Sequence, residues 1–330
     1  MHFSAERSHM RYRALVIGTV VCLTGFRAQA QTAPQPTPGP QPGLAWTEAE
    51  LNKVAHHVRA GRKLTPKSWP NGTRVAVCLS FDPDNLTIPV NAGNNAPLTM
   101  SEGEYGALSG IPRILKFLDR ENLPASFYVP AVSALLHPQM MQEINRSGRH
   151  EVAMHGWIHE DPMALNDPEE EWRLISQAMN TLEKFDGKRP TGNRNPSWTM
   201  SVHTMALLKR AGLLYDSSLQ AMDEPHDILI DGQSAGIVEL PVNWILDDAP
   251  FLPPYASLPS PRLVMKTFKD DFDRAYRDGT LFMLTMHPHV SGQRSRMKYL
   301  EELVVYMKSK PGVWFATADE IARYVKQTHE

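Results

Sequence analysis

Acidic and imidazole side chains stand at spacings that suit metal-assisted proton chemistry. Ser80-Phe81-Asp82-Pro83-Asp84 ends an apolar run with two carboxylates separated by one residue. In an extended strand, Ala76, Cys78, Ser80, Asp82 and Asp84 share one face, and Val75, Val77, Leu79 and Phe81 share the other. The large apolar residues are expected against outer helices, the small ones in a confined interior. Two bare carboxylates on one face repel, so a cation is expected between them. Pro83 has no N–H and must end the ladder. An isolated Asp-x-Asp is more often a loop whose acids cap the next helix. The second signal is His155-Gly156-Trp157-Ile158-His159, after the apolar Val152-Ala153-Met154. Imidazoles four residues apart can meet on one helical turn and chelate a metal. Asp84 would make a third ligand and leave a position open for water. The spacing alone is weak evidence; His56, His57 and His150 read as surface or helix residues.

Three further segments place reactive groups after apolar runs. In Gly192-Asn193-Arg194-Asn195-Pro196-Ser197-Trp198, Arg194 could hold a carboxylate ionised through paired hydrogen bonds. Trp198 could stack on a sugar or another flat ligand, or simply fill the core. Trp244 precedes the acid pair Asp247-Asp248. Leu281–Met286 is apolar on both faces and leads to His287, with His289 as a competing candidate. A neighbouring carboxylate, Asp247 or Asp248, would raise the His287 pKa and keep it protonated as an acid.

These groups need a scaffold that brings strand ends to one rim. Strands are predicted at 74–81, 125–129, 151–154, 191–194, 214–216, 237–241, 281–286 and 313–315. Helices are predicted near 111–121, 138–146, 168–185, 203–211, 262–277, 294–308 and 318–325. The alternation argues for an α/β domain on a parallel sheet, open or closed into a barrel, with sites at the C-terminal strand ends. Residues 85–109 show no period and read as a functional loop. With 330 residues, 42% hydrophobic and 21% charged, the chain suits one large globular domain. A net charge of −2 gives no basic footprint for nucleic acid. Two cysteines exclude a disulfide framework.

The N-terminus reads as an export signal. Arg7, Arg11 and Arg13 precede an apolar run to about Phe26, followed by Ala28-Gln29-Ala30. The run is too short to span a bilayer, so no stable membrane anchor is expected. Residues 1–30 are expected to be a signal peptide, giving a periplasmic or secreted protein. Their loss would remove four arginines, one glutamate and Cys22, leaving 30 basic against 35 acidic residues and Cys78 alone. Residues 31–43 contain five prolines and read as a semi-rigid linker. Residues 44–68 are expected to be a helical extension, helical from Trp46 to about Arg62 with Thr47 and Glu50 as a capping box. Residues 69–330 form the catalytic domain.

The five motifs, in this order, resemble the polysaccharide deacetylase family, carbohydrate esterase family 4, over roughly residues 69–325. The resemblance implies a distorted (β/α)7 barrel, Asp82 as catalytic base and Asp84, His155 and His159 as ligands of one divalent ion, with zinc the expected metal. It also implies that Arg194 positions the base, His287 is the general acid, and Asp247 or Asp248 orients it. Gly156 stands where the family usually has Ser or Thr, Pro83 separates acids that are usually adjacent, and Ser197-Trp198 follows Pro196 in place of Tyr. These variants are similar to the branch holding bacterial peptidoglycan deacetylases and allantoinase-like enzymes. The implied reaction removes acetyl groups from an N-acetylated cell-wall or chitin-like glycan, with Trp198 and Trp244 as substrate-binding residues. Two alternatives are a hydrolase of a small cyclic amide or imide and a non-catalytic glycan-binding relative. Self-association is left open.

Overall fold

The strand that carries the acid pair is buried along its whole length, and its two edges organise the fold. The structure, a computed structural model, describes residues 41–165, 167–252 and 260–329. Its strands are β1 (Val58–Lys63), β2 (Val75–Phe81), β3 (Ser126–Val129), β4 (Glu151–Met154), β5 (Gly192–Asn193), β6 (Tyr215–Asp216), β7 (His226–Ile230), β8 (Gln233–Glu239), β9 (Leu281–Met286) and β10 (Val313–Phe315). Seven run parallel in the order β9-β2-β3-β4-β5-β6-β8. A parallel bridge from Asp247 to Thr285 returns the chain after β8 to β9 and curls the sheet into a barrel. One edge of β2 pairs with β9 from Ala76 to Phe81. The other is shared: β10 takes Val75–Val77, and β3 takes only Ser80 and Phe81. That sharing is the distortion of the barrel.

Side-chain alternation on β2 divides the core as the strand period requires. Val75, Val77, Leu79 and Phe81 pack with the outer helices. Ala76 and Cys78 face the barrel interior with Tyr128, Tyr215 and Met283. Helices follow their local signals. Asp167 caps Pro168–Asp186, and Gly187 ends it in the left-handed conformation at φ 74°. Thr317 and Glu320 form a capping box at Ala318–Gln327. No helix among the described residues is long and apolar enough to cross a membrane.

Two expectations need correction. The helix after Thr47 covers only Glu48–Ala55, and residues 58–63 form β1, antiparallel to β7 at the sheet edge. β1 and β7 carry too little clean alternation to be read as strands. The segment 85–109 is largely helical: Thr87–Asn91, then Pro97–Tyr105, then a π turn at Gly106–Gly110 that runs into Ile111–Glu121. It lacks an apolar period because glycines form its contact face. A Cβ on Gly103 would lie 2.6 Å from the Asn85 carbonyl oxygen. One on Gly106 would meet the Asn85 side chain, and one on Gly110 the Pro288 carbonyl oxygen. The helix therefore rests backbone to backbone on the loops that follow Asp84 and His287. The expected leader, residues 1–30, and most of the proline-rich linker lie outside the described residues.

Gly110→Ala must push this helix off Pro288. It is expected to destabilise the fold by about 1–3 kcal/mol, read as a lower urea midpoint at unchanged slope. An unchanged midpoint would show that the seam opens freely.

Candidate active site

The reactive groups converge at the C-terminal ends of the parallel strands. β2 presents Asp82 and Asp84, both buried. Asp82 N–H still donates to Met286 O at 2.8 Å, so the strand keeps its register to the first acid. Pro83 then turns the chain, and Ser133 Oγ holds its carbonyl at 2.7 Å.

Arg194, fully buried, spans the barrel interior. Its Nη1 donates to Asp82 Oδ1 at 2.8 Å and to Ser80 Oγ at 2.9 Å. Nε and Nη2 donate to Ser217 O and Ser217 Oγ, each at 3.2 Å. The guanidinium lies over the Tyr128 ring, 3.9 Å from its centroid. Burial alone would lower the Arg194 pKa, but the Asp82 charge outweighs it and the group stays cationic. Asp82 thus keeps one oxygen on Arg194, while Oδ2 stands 4.0 Å from His155 Nε2.

His155 follows β4. Its Nδ1 lies 2.6 Å from Arg194 O. A carbonyl only accepts, so Nδ1 carries the proton and Nε2 keeps its lone pair for the site. Burial pushes the His155 pKa down to about 3, with the nearby Asp84 opposing, so the ring is neutral at ordinary pH. Gly156 has φ 70°, and a Cβ there would stand 2.9 Å from Pro196 and 3.0 Å from the Glu160 carboxylate. Glycine at this position therefore has a steric cause. Glu160 accepts from Trp157 N–H and Ile158 N–H at 2.7–2.9 Å, tying the turn between the two histidines. His159 itself sits at φ 59°.

Asp84, His155 and His159 offer ligand atoms that all lie within 4.8 Å of one another. Asp84 Oδ1 is 3.5 Å from His155 Nε2, and Asp84 Oδ2 is 3.7 Å from His159 Nε2. Asp84 Oδ1 is buried and has no hydrogen-bond partner. Two imidazoles facing an orphaned carboxylate oxygen fit a divalent cation. Asp247, Asp248 and His287 form a second group of this kind. Their lone pairs are already engaged: His287 Nδ1–H donates to Asp248 Oδ1 at 2.7 Å, and His287 N–H reaches both Asp248 oxygens at 3.0–3.1 Å. Asp247 Oδ1 accepts from Ala249 N–H at 2.8 Å. The first group is the better cation site.

Of the two acids, Asp248 holds His287, with Asp247 Oδ1 farther off at 3.5 Å. Burial would lower the His287 pKa, but the Asp248 hydrogen bond and the charges of Asp248, Asp247 and Asp84 raise it well above its ordinary value. Burial, opposed by His287 and reinforced by Asp248, lifts Asp247 to about 7. His287 Nε2 points to the metal-type cluster, 3.6 Å from Asp84 Oδ2. His289 ring nitrogen Nδ1 is buried without a partner, 5.8 Å ring to ring from His287. Trp198 and Trp244 stack at 3.8 Å between centroids. Trp198 is 9% exposed and Trp244 43%, so Trp244 carries the accessible surface and Trp198 backs it.

Asp82, Asp84, His155, His159, Arg194, Asp247, Asp248 and His287 meet at this rim, and Trp198 and Trp244 stack on one another. Glu160, Ser80, Tyr128 and Ser217, which position them, were missed. Polar residues at strand ends, as in Tyr215-Asp216-Ser217-Ser218, were the available signal.

Comparison with known proteins follows the same geometry. A family profile described as polysaccharide deacetylase matches residues 98–215, which include His155, His159 and Arg194. A peptidoglycan deacetylase of Helicobacter pylori is 32% identical over 260 residues, covering 70% of this chain and 88% of the relative. A peptidoglycan deacetylase-like protein of Gibberella zeae is 29% identical over 320 residues, 84% of this chain and 94% of that one. Among solved structures, a Mycobacterium smegmatis protein assigned as a polysaccharide deacetylase is 33% identical, with a TM-score of 0.74 over 82% of this chain and 96% of its own. An allantoinase structure shares the fold at 24% identity, with a TM-score of 0.70 over 79% of this chain and 93% of its own.

Calorimetric titration of the chelator-treated protein with zinc is expected to show one site. His155→Ala is expected to weaken it beyond the roughly 10–100-fold typical of losing a supporting residue, whereas Asp247→Asn keeps the stoichiometry. A site lost in Asp247→Asn and kept in His155→Ala would transfer the cation to the second group.

Proposed function

The chain belongs to the polysaccharide deacetylase family, and from that premise we propose that it removes acetyl groups from an N-acetylated cell-wall glycan. It is a hydrolase of carbon–nitrogen bonds in non-peptide amides, as its relatives are. The observation that carries the reading is one continuous set of contacts: Arg194 on Asp82, the Asp84–His155–His159 cluster, and His287 held by Asp248. Peptidoglycan is the favoured substrate because the Helicobacter pylori relative is named for it. The leader-like residues 1–30 support an exported enzyme acting where that polymer lies.

Asp84, His155 and His159 would hold the divalent ion, with zinc as our choice from the histidine-rich donor set. Such an ion polarises an amide carbonyl and makes water more acidic. Asp82, oriented by the hydrogen bond from Arg194, takes the proton of the attacking water. His287, kept protonated by Asp248, delivers a proton to the departing amine, which leaves as the free amino sugar with acetate as co-product. Trp244 offers an exposed ring for a sugar face.

Acetate release from muropeptides and from acetylated chitooligosaccharides is expected for the zinc-loaded protein. Asp82→Asn should lower turnover by roughly 10²–10⁴-fold and keep the metal. Near-native turnover in that variant would remove Asp82 from the base role. No acetate from a zinc-bound wild type would favour a small amide or imide. A pH profile tests the acid: its protonated form is active, so kcat/KM falls as pH rises through the His287 pKa. Asp248→Asn removes the charge that raises this pKa, and the alkaline limb should move down by about 1–3 pH units. An unmoved limb would exclude His287 as the titrating acid.

A further inference from the structure

Behind Arg194 lies a pair of carboxyl groups that the reaction above does not use. Asp216 ends β6 and Glu239 ends β8, directly paired in the parallel register. Both are fully buried. Among the described residues, neither has a lysine or arginine within ion-pair distance. From β7, His226 stands opposite Glu239 in register. Its Nδ1 is 2.9 Å from Glu224 O and burial lowers its pKa, so it is neutral and supplies no counter-charge. From β5, Asn193 faces Asp216.

The hydrogen bonds around the pair are unequal. Asp216 Oδ1 accepts from Asn193 Nδ2 at 2.7 Å and Ser218 Oγ at 3.1 Å. Asp216 Oδ2 accepts from Ser218 N–H at 2.9 Å. Glu239 Oε1 accepts from Ser218 N–H at 3.0 Å and Leu219 N–H at 2.9 Å. Glu239 Oε2 meets no donor, and Glu239 Oε1 and Asp216 Oδ2 converge on the same Ser218 N–H. Two ionised carboxyl groups in one dry site repel, and one shared proton removes the repulsion. Asp216 has three of its four lone-pair sites engaged, two on Oδ1 and one on Oδ2, and Glu239 Oε2 has none, so the proton belongs on Glu239, donated to the remaining site on Asp216 Oδ2. Burial raises the pKa of both groups, in the direction this requires.

The turn that these carboxyls grip is the one that holds the guanidinium. Ser217, between Asp216 and Ser218, gives its carbonyl and hydroxyl oxygens to Arg194. Ser218 Oγ accepts from Asn195 N–H at 2.9 Å, and Asn193 Nδ2 also reaches Asn195 Oδ1 at 2.8 Å. Both chain neighbours of Arg194 are thereby fixed. We propose that Asp216 and Glu239 hold one proton between them and act as a single positioning unit, which sets Arg194 and, through it, Asp82. The kinetic arm of the test rests on Asp82 as the base; the spectroscopic arm does not.

Infrared spectra of the zinc-loaded full chain at about pH 9, above the ordinary carboxyl range, should show the carbonyl stretch of a protonated carboxylic acid. Glu239→Gln should abolish that band. Its amide can still accept through oxygen and donate to Asp216, so kcat should recover to well above that of Glu239→Ala, which should fall by about tenfold or more. Asp216→Asn, which places an NH2 where acceptors are needed, should lower kcat by about tenfold or more with a smaller change in KM and with zinc retained. No acid band in the folded wild type, or a Glu239→Gln enzyme no better than Glu239→Ala, would overturn the proposal. If Asp216→Asn does not fold, the band and the Glu239 pair decide. If the wild type releases no acetate, the band still tests the shared proton, so failure of the reaction assignment is distinguishable.

Discussion

A guanidinium without access to water sits at the centre of the barrel, and the arrangement around it follows from the need to satisfy it. A buried charge stripped of its partner costs about 3–5 kcal/mol. Arg194 therefore has to be met by Asp82 and Ser80 from β2, by Ser217 after β6 and by the ring of Tyr128 on β3. One side chain thus ties three strands and its own loop to a common centre. Its backbone contributes as well: the Arg194 carbonyl selects the tautomer of His155. Asp82 and His155 are consequently referenced to the same residue, which gives the acid pair and the histidine pair a fixed relation.

The site was more legible in the sequence than its supports were. Asp82, Asp84, His155, His159, Arg194 and His287 stand at the ends of apolar runs, where an ionisable group has few structural reasons to be. The parallel strands were legible for the same reason, since burial on both faces leaves a continuous apolar stretch. Which acid holds His287 was not legible: Asp247 and Asp248 are adjacent, and only the bridge from Asp247 to Thr285 directs Asp248 inward. Edge strand β1 and its neighbour β7 carry a half-solvated pattern interrupted by register shifts. The helical stretch 97–110, ahead of the helix read at 111–121, was hidden because its contact face is glycine, which has no hydrophobic signature. Asp216 and Glu239 were passed over because sequence alone does not say which acids are dry.

Backbone strain is gathered where the chemistry is. Asn85, His159, Ser197 and Trp198 all have positive φ without being glycine. Such conformations cost of order 1–3 kcal/mol each and persist only where surroundings enforce them. Here the enforcing contacts are visible: Glu160 on the turn before His159, Ser133 on Asn85, and the Trp244 ring against Trp198. These contacts are all within the chain, so the fold itself holds the rim in this shape.

The glycine seam between the helix at 97–121 and the loops after Asp84 and His287 separates two things that could otherwise drift together. The spacing of the reacting groups is a backbone property there, set by Gly103, Gly106 and Gly110 against Asn85 and Pro288. Trp244, exposed on the surface, lies outside that seam. Exposed side chains outside the seam can therefore be exchanged without altering that spacing, provided Trp198 keeps its stacking partner. Such a scaffold is evolvable in one direction, toward new substrates, while its reaction stays constant.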